Sequence, residues 1–219
     1  MKYRLQFRKE GASRYISHLD TMRTMQRAFL RAGIKFRHSE GFNPHPVMAL
    51  ALPLSVGQES ECELMDFETT DAPETEELLR RMDGVFPRGI SAARVYVPAR
   101  KVGEIRWLET RGLLEYDGGV SDEKISALNG YFAEKSIIIR KKTKSGDADI
   151  DVAPMIVGTK LTRLDDTRVE LRSVIAAQNP TMNPDGFVRA LETHRAELKP
   201  DFAVFRRLAL FDAEMKPFE

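Results

Sequence analysis

The feature that most limits how this chain can fold is a change of hydrophobic period, from two to about 3.6 and back, that recurs in the same order in both halves. In the first half Tyr3, Leu5 and Phe7 alternate with Lys2, Arg4, Gln6 and Arg8, which predicts a half-buried strand that Gly11 closes. The run ISHLDTMRTMQRAFLRAG then predicts a helix, with Ser17 as N-cap, Asp20 near its positive end and Gly33 as its stop. Leu19, Met22, Met25, Phe29 and Leu30 fall on one helical face as its expected core side. A short strand is expected at Ile34–Arg37, and the loop HSEGFNPHP follows it. The run VMALALPL is apolar, and ECELMDFET alternates again across a turn at Gly57. Pro73 opens a second helix, PETEELLRRM, and Ser91–Val97 returns as a strand.

From Ile105 the order repeats without residue-level similarity. RWLETRGLLEYDG reads as strand, SDEKISALNGYFAEK as helix and SIIIRKKTK as strand. After a turn at Ser145–Gly146 come DADIDVAPMIVGTKLTRL, the strand DTRVELRSVIAA, the helix NPDGFVRALETH and the strand FAVFRRLALFDAEM. Strand, helix, two strands, helix, strand is the order of an α+β domain with both helices on one face of an antiparallel sheet, the ferredoxin-like βαββαβ plan. The expectation is two tandem ferredoxin-like domains, 1–100 and 104–219, joined between Ala99 and Gly103.

Composition removes several classes of protein. No stretch approaches the roughly 20 apolar residues a membrane helix needs, and MKYRLQFRKEG has no signal-type apolar run, so a soluble cytoplasmic protein is expected. Cys62 is the only cysteine, which leaves no disulfide, no CxxC metal pair and no means of holding an iron–sulfur cluster alone. The net charge of +1 hides an asymmetry. Residues 1–50 hold ten Lys and Arg against three acids, while residues 51–85 hold two against ten. The two blocks form a basic and an acidic surface, or they face each other.

Three groups of residues could carry chemistry. His38–Pro46 is a stiff loop, because Asn43 and His45 each precede a proline and are biased to extended backbone. Gly41 can take positive φ or admit a close backbone, and Ser39, Asn43, His38 and His45 offer donors and acceptors beside Phe42. At the start of the first helix Ser17, His18 and Asp20 surround backbone N–H groups that favour anions, and capping alone accounts for Ser17 and Asp20. Arg23, Arg27 and Arg31 follow at i, i+4, i+8 as a cationic stripe. In the second half Lys135, Arg140, Lys141, Lys142 and Lys144 form a basic hairpin suited to a phosphate backbone, or a charged edge that deters strand pairing. The histidines lack the spacing of a helical metal pair, so no metal and no cofactor is expected. No nucleotide-binding or nucleophile-elbow motif occurs in a suitable context.

The run RYISHLDTMRTMQRAFLRAGIKFRHSEGFNPHPVMALALPLSVGQESE resembles the radical-SAM-linked (radical-SAM-associated) proteins of bacteria. The resemblance is carried by Ser17, His18, Leu19, Asp20 and Arg23, by Ser39 through Pro46, and by Pro53, Leu54, Gly57, Glu59 and Ser60. It continues more loosely through the basic segment, DIDVAPMI and NPDGFVRAL. It implies a cobalamin-binding radical-SAM protein as partner, with the radical chemistry in that partner, and it carries over no catalytic residue. Tandem ferredoxin-like domains with a basic face also look like the RNA-binding repeat proteins of CRISPR processing, an analogy of fold only.

Three functions follow. The first is a noncatalytic substrate-recognition partner, binding tRNA or rRNA, through Ser17, His18, Asp20, Arg23, Arg27, Arg31, Ser39, Gly41, Phe42, Asn43 and His45, with Arg140, Lys141, Lys142 and Lys144 as further nucleic-acid contacts. The second is a metal-independent RNA-processing enzyme in which His18 and His45 act as acid and base. The third is a protein-interaction scaffold docking through the acidic block.

Overall fold

The computed structural model describes residues 1–143 and 146–219. The chain divides into two compact units, Met1–Glu104 with Glu219, and Ile105–Phe218. Each is α+β.

The first unit is built from β1 (Lys2–Lys9), α1 (His18–Arg31), β2 (Met48–Leu50), β3 (Glu59–Glu68), α2 (Thr75–Met82) and β4 (Ile90–Tyr96). Its strands lie in the order β4-β1-β3-β2, every neighbouring pair antiparallel. Alternation places Tyr3, Leu5 and Phe7 on one face, where they join Met25 and Phe29 of α1, Met65 and Phe67 of β3, and Leu78 and Met82 of α2 in one core. Phe29 anchors it, edge-on to Phe67 at 4.9 Å and stacked on Phe36 at 5.5 Å. Lys2, Arg4, Asp66 and Glu68 therefore belong to the helix-free face.

Two of the five residues expected on the core side of α1 are not there. Leu19 and Leu30 are 57% and 60% exposed, because they sit about 120° and 140° around the helix from Met25. Thr21 and Ala28 complete the buried stripe instead. The helix ends as its glycine predicts. Gly33 takes φ +68 and donates to the Leu30 carbonyl, while Ile34 donates to Phe29 and packs with it in the core. The strand expected at Ile34–Arg37 is only an isolated bridge, Phe36 to Thr69. Ile34 and Phe36 are buried as anchors, so the apolar alternation there reports burial without a ladder. Likewise only Met48–Leu50 of the apolar run 47–54 pairs, although Leu52 and Leu54 are buried.

The second unit comprises β5 (Trp107–Glu115), α3 (Asp122–Phe132), β6 (Ile138–Thr143), β7 (Gly146–Asp151), β8 (Ile156–Arg163), β9 (Arg168–Ala176), α4 (Gly186–His194) and β10 (Phe202–Phe211). Its sheet runs β10-β5-β9-β8, again antiparallel throughout. The expected second strand, SIIIRKKTK, does not enter that sheet. β6 pairs only with β7, in a separate two-stranded ribbon, and β8 takes the edge beside β9.

Candidate functional site

The loop at 38–46 closes on itself. Arg37 accepts from the Val47 N–H at 2.8 Å and donates its own N–H to Glu68, which fixes the loop's base to the end of β3. One step further out the Ser39 N–H donates to the His45 carbonyl at 2.8 Å, and the His45 N–H donates to Ser39 Oγ at 3.1 Å. The ring joins this clasp, with Nδ1 2.9 Å from Ser39 Oγ and 3.4 Å from the Asn43 carbonyl. The tautomer that satisfies all these contacts carries its proton on Nδ1, because a carbonyl can only accept. Gly41 takes φ +122 with no atom near the position of a Cβ, so it is there for the turn rather than for a close approach within this chain. At the tip Phe42 is fully exposed, at 111% of its reference area.

Beneath the clasp lies a cavity of about 400 Å³, lined by Ser39, His45, Lys2, Asp66 and Glu68 among others. Arg4, with no exposed surface, clamps Asp66 through both oxygens, at 2.6 and 3.1 Å, and Lys2 reaches the same carboxylate at 3.0 Å. Burial pushes the Asp66 carboxyl up, but these cations more than offset it and hold it below the usual aspartate range.

The start of α1 lies at the other end of β1. There Gly57 donates to the Arg14 carbonyl at 2.8 Å, Gly11 N–H donates to Glu59 Oε1 at 2.8 Å, and the Arg14 guanidinium stands 3.7 Å from the same oxygen. Lys9, on the same strand face as Phe7, is buried and donates to the Ile16 carbonyl. Burial pulls its ammonium below the usual lysine range, with Glu63 pulling the other way. Ser17 caps the helix by accepting from the Asp20 N–H at 3.1 Å and donating to its carboxylate at 2.7 Å. His18 is exposed beside this cap.

These positions separate His18 from His45. The SHLD segment follows Lys9, which pairs with Ser60, whereas the clasp stands by Lys2, which pairs with Glu68. Seven strand steps at 3.3 Å put those ends roughly 23 Å apart. A proton-transfer pair between the two histidines is thus not assembled, and the two motifs do not share one site. Arg23, Arg27 and Arg31 are all exposed along α1. Arg23 pairs with Asp20 at 3.4 Å and Arg31 donates to the Val85 carbonyl at 2.6 Å.

The opposed charge blocks face each other in part. Arg4 and Lys2 meet Asp66, Arg37 meets Glu68 at 2.6 Å, Arg14 meets Glu59, and Glu63 is buried near Lys9. These pairs take up four of the ten acids of the block, Glu59, Glu63, Asp66 and Glu68. The ribbon pairs β6 with β7. Its register sets Arg140 opposite Asp149. Arg140 is exposed, only the backbone of Lys141 and Lys142 is described, and Lys144 lies outside the described residues. Among the described residues no three His, Cys, Asp or Glu side chains gather as a metal site.

Lys9, Arg14 and Glu63 at one end, and Lys2, Asp66 and Glu68 at the other, were not singled out from sequence as site residues. Their one signal is the opposition of a basic and an acidic block in the sequence, which does not say which cation meets which carboxylate until β3 pairs with β1.

Residues 2–184 match the family described as "Uncharacterized protein conserved in bacteria (DUF2344)". No curated protein matches the chain. Among solved structures, similarity is found to an archaeal box H/ACA sRNP Nop10–Cbf5 complex, with 14% identity over 94% of this chain and 46% of that one, at a TM-score of 0.47. A Cbf5–Nop10–Gar1 complex gives 10% identity, 94% and 47% coverage, and a TM-score of 0.51. An H/ACA RNP bound to a substrate RNA containing 2'-deoxyuridine gives 12%, 94%, 46% and 0.47. The chain spans less than half the length of these chains, and at such identities the likeness concerns the fold alone.

Proposed function

The chain belongs to this bacterial family, and from that premise we propose that it is a noncatalytic RNA-recognition protein serving a radical-SAM enzyme. Phe42 carries the reading. A fully exposed phenylalanine is costly to leave in water, and here it tops a loop tied at Ser39 and His45 and stiffened by Pro44 and Pro46. Such a ring offers a stacking platform to an unpaired base at little ordering cost. The exposed guanidiniums of Arg23, Arg27 and Arg31 supply phosphate contacts along α1.

The partner follows from the resemblance to radical-SAM-linked proteins. One buried cysteine, Cys62, supplies no cluster ligand set, so the radical step belongs to a cobalamin-binding partner in the cytoplasm. Both units are read as ferredoxin-like, over 1–100 and 104–219. Each strand order, β4-β1-β3-β2 and β10-β5-β9-β8, corresponds to the βαββαβ plan, the second with the ribbon inserted after its first helix.

The test is fluorescence anisotropy with a single-stranded oligoribonucleotide at 50 and 200 mM salt. Phe42→Ala is expected to weaken binding about tenfold, the loss of one stacked base, at an unchanged salt slope. Arg27→Gln is expected to lower the salt slope by about 0.7. A folded protein with no RNA affinity at low salt overturns the proposal.

A further inference from the structure

The cavity under the clasp carries more than the loop tip does. Its volume of about 400 Å³ falls in the range of small-molecule sites. Pro46, Val47 and Met48 give it apolar surface, and Lys2, His45 and Glu68 line it with polar capacity left over. Glu68 receives Arg37 on Oε2 alone, and among the described residues Oε1 has no partner. His45 spends Nδ1 on the clasp, which leaves Nε2 an acceptor. The Lys2 ammonium spends one contact on Asp66, its side chain is 53% exposed, and it has further N–H bonds to give.

The lining thus offers two acceptors and one cationic donor. Asp66 and Glu68 together disfavour a phosphate there. A planar neutral group is favoured if one edge presents two donor groups and one acceptor. Adenine presents one donor and one acceptor on its pairing edge, and uracil and cytosine present one donor and two acceptors. Guanine alone presents N1–H and N2–H₂ as donors with O6 as acceptor.

We infer that this cavity takes the guanine base of an unpaired nucleotide, donating from N1 and N2 to Glu68 Oε1 and His45 Nε2 and accepting at O6 from Lys2 Nζ. The inference rests on the RNA reading and names the base that reading would select. Two acceptors set for adjacent N–H groups select by edge pattern, because the wrong base presents an acceptor or nothing where one of these donors should be.

The experiment compares oligouridine decamers carrying one central guanine, inosine or adenine, titrated against the full chain, with guanosine monophosphate as a second probe. The guanine oligomer is expected to bind about tenfold more tightly than the adenine one, and inosine, which lacks N2, to lose most of that gain. Glu68→Gln is expected to erase the preference while binding to plain oligouridine stays within about twofold. Lys2→Met reports the O6 contact without touching the clasp, should Glu68→Gln disturb the loop. Equal affinity for all three oligomers overturns the guanine site and leaves RNA binding standing. Binding of the monophosphate without any oligomer overturns RNA binding and leaves the site. Binding of neither overturns both.

Discussion

Replacing Arg4 by methionine should unfold the first unit far more easily than the loss of one surface ion pair would. The guanidinium has no exposed surface, and it holds both oxygens of Asp66, whose side chain is only 14% exposed. Lys2 remains as a partner, but it is half exposed, where an ion pair contributes well under about 1 kcal/mol. Arg4→Met keeps much of the stem volume and leaves a desolvated carboxylate, a change that costs about 3–5 kcal/mol. With an m value near 2 kcal/mol/M in urea, the midpoint falls by roughly 2 M. Asp66→Leu in the same chain should recover most of the loss, since the charge left behind is what destabilises. The variants also differ in acid. The depressed carboxyl of Asp66 contributes stability above the unfolded value, and that stability fades as pH falls through the folded one. Arg4→Met removes most of the depression, so its deficit against wild type should shrink toward low pH. Urea melts followed by far-UV dichroism report both units, while the single tryptophan, Trp107, reports the second unit only. A single-variant cost below about 1 kcal/mol, or a double variant no better than the single, refutes the reasoning.

Other expectations are narrower. Gly33→Ala forces a Cβ into φ +68 at the end of α1 and should cost about 1–2 kcal/mol in a urea melt, with RNA affinity unchanged. In carboxyl-detected NMR Asp165 should titrate at about 2, because Arg168 and the Thr167 N–H hold its charged form, and Arg168→Gln should raise it. Its contribution is present above the unfolded aspartate value and is lost as pH falls toward 2. Tyr116, pushed up to about 12 by burial, should stay un-ionised in an ultraviolet titration after exposed tyrosines have ionised. The stability it contributes is complete below pH about 10 and is lost as pH rises toward 12.

The order of elements could be read from period alone, because the apolar residues of β1 and most of those of α1 share one face, even though Arg4 is buried on the other face of β1 and Leu19 and Leu30 are exposed. Gly33 and Ser17 also marked the ends of α1 correctly, since a positive-φ stop and a hydroxyl cap are local events. What could not be read was pairing. Ile34–Arg37 alternates like a strand, but its neighbours are used by core contacts, and SIIIRKKTK looks like a sheet strand until β8 takes the edge. The same limit governed the site. His18 and His45 are 27 residues apart in sequence, and only the β1–β3 register shows that they stand at opposite ends of a strand pair. The acidic block at 59–77 reads as a docking surface because the cations that meet part of it are distant in sequence, Lys2 and Arg4 on β1 for Asp66, Arg14 for Glu59 and Arg37 for Glu68.

The ribbon leaves and rejoins the second unit at nearly one point. The Val152 N–H donates to the Ile137 carbonyl at 2.9 Å, and Asp151 accepts from the Ile137 N–H at 2.9 Å, so the stem of the insertion is already stitched shut. Everything between those residues can lengthen, shorten or vanish without rerouting the chain from α3 to β8, with contacts such as Ile139 beside Gly186 the chief loss. Such a stem is a natural graft point. One ribbon exchanged for another there leaves the paired sheet unaltered.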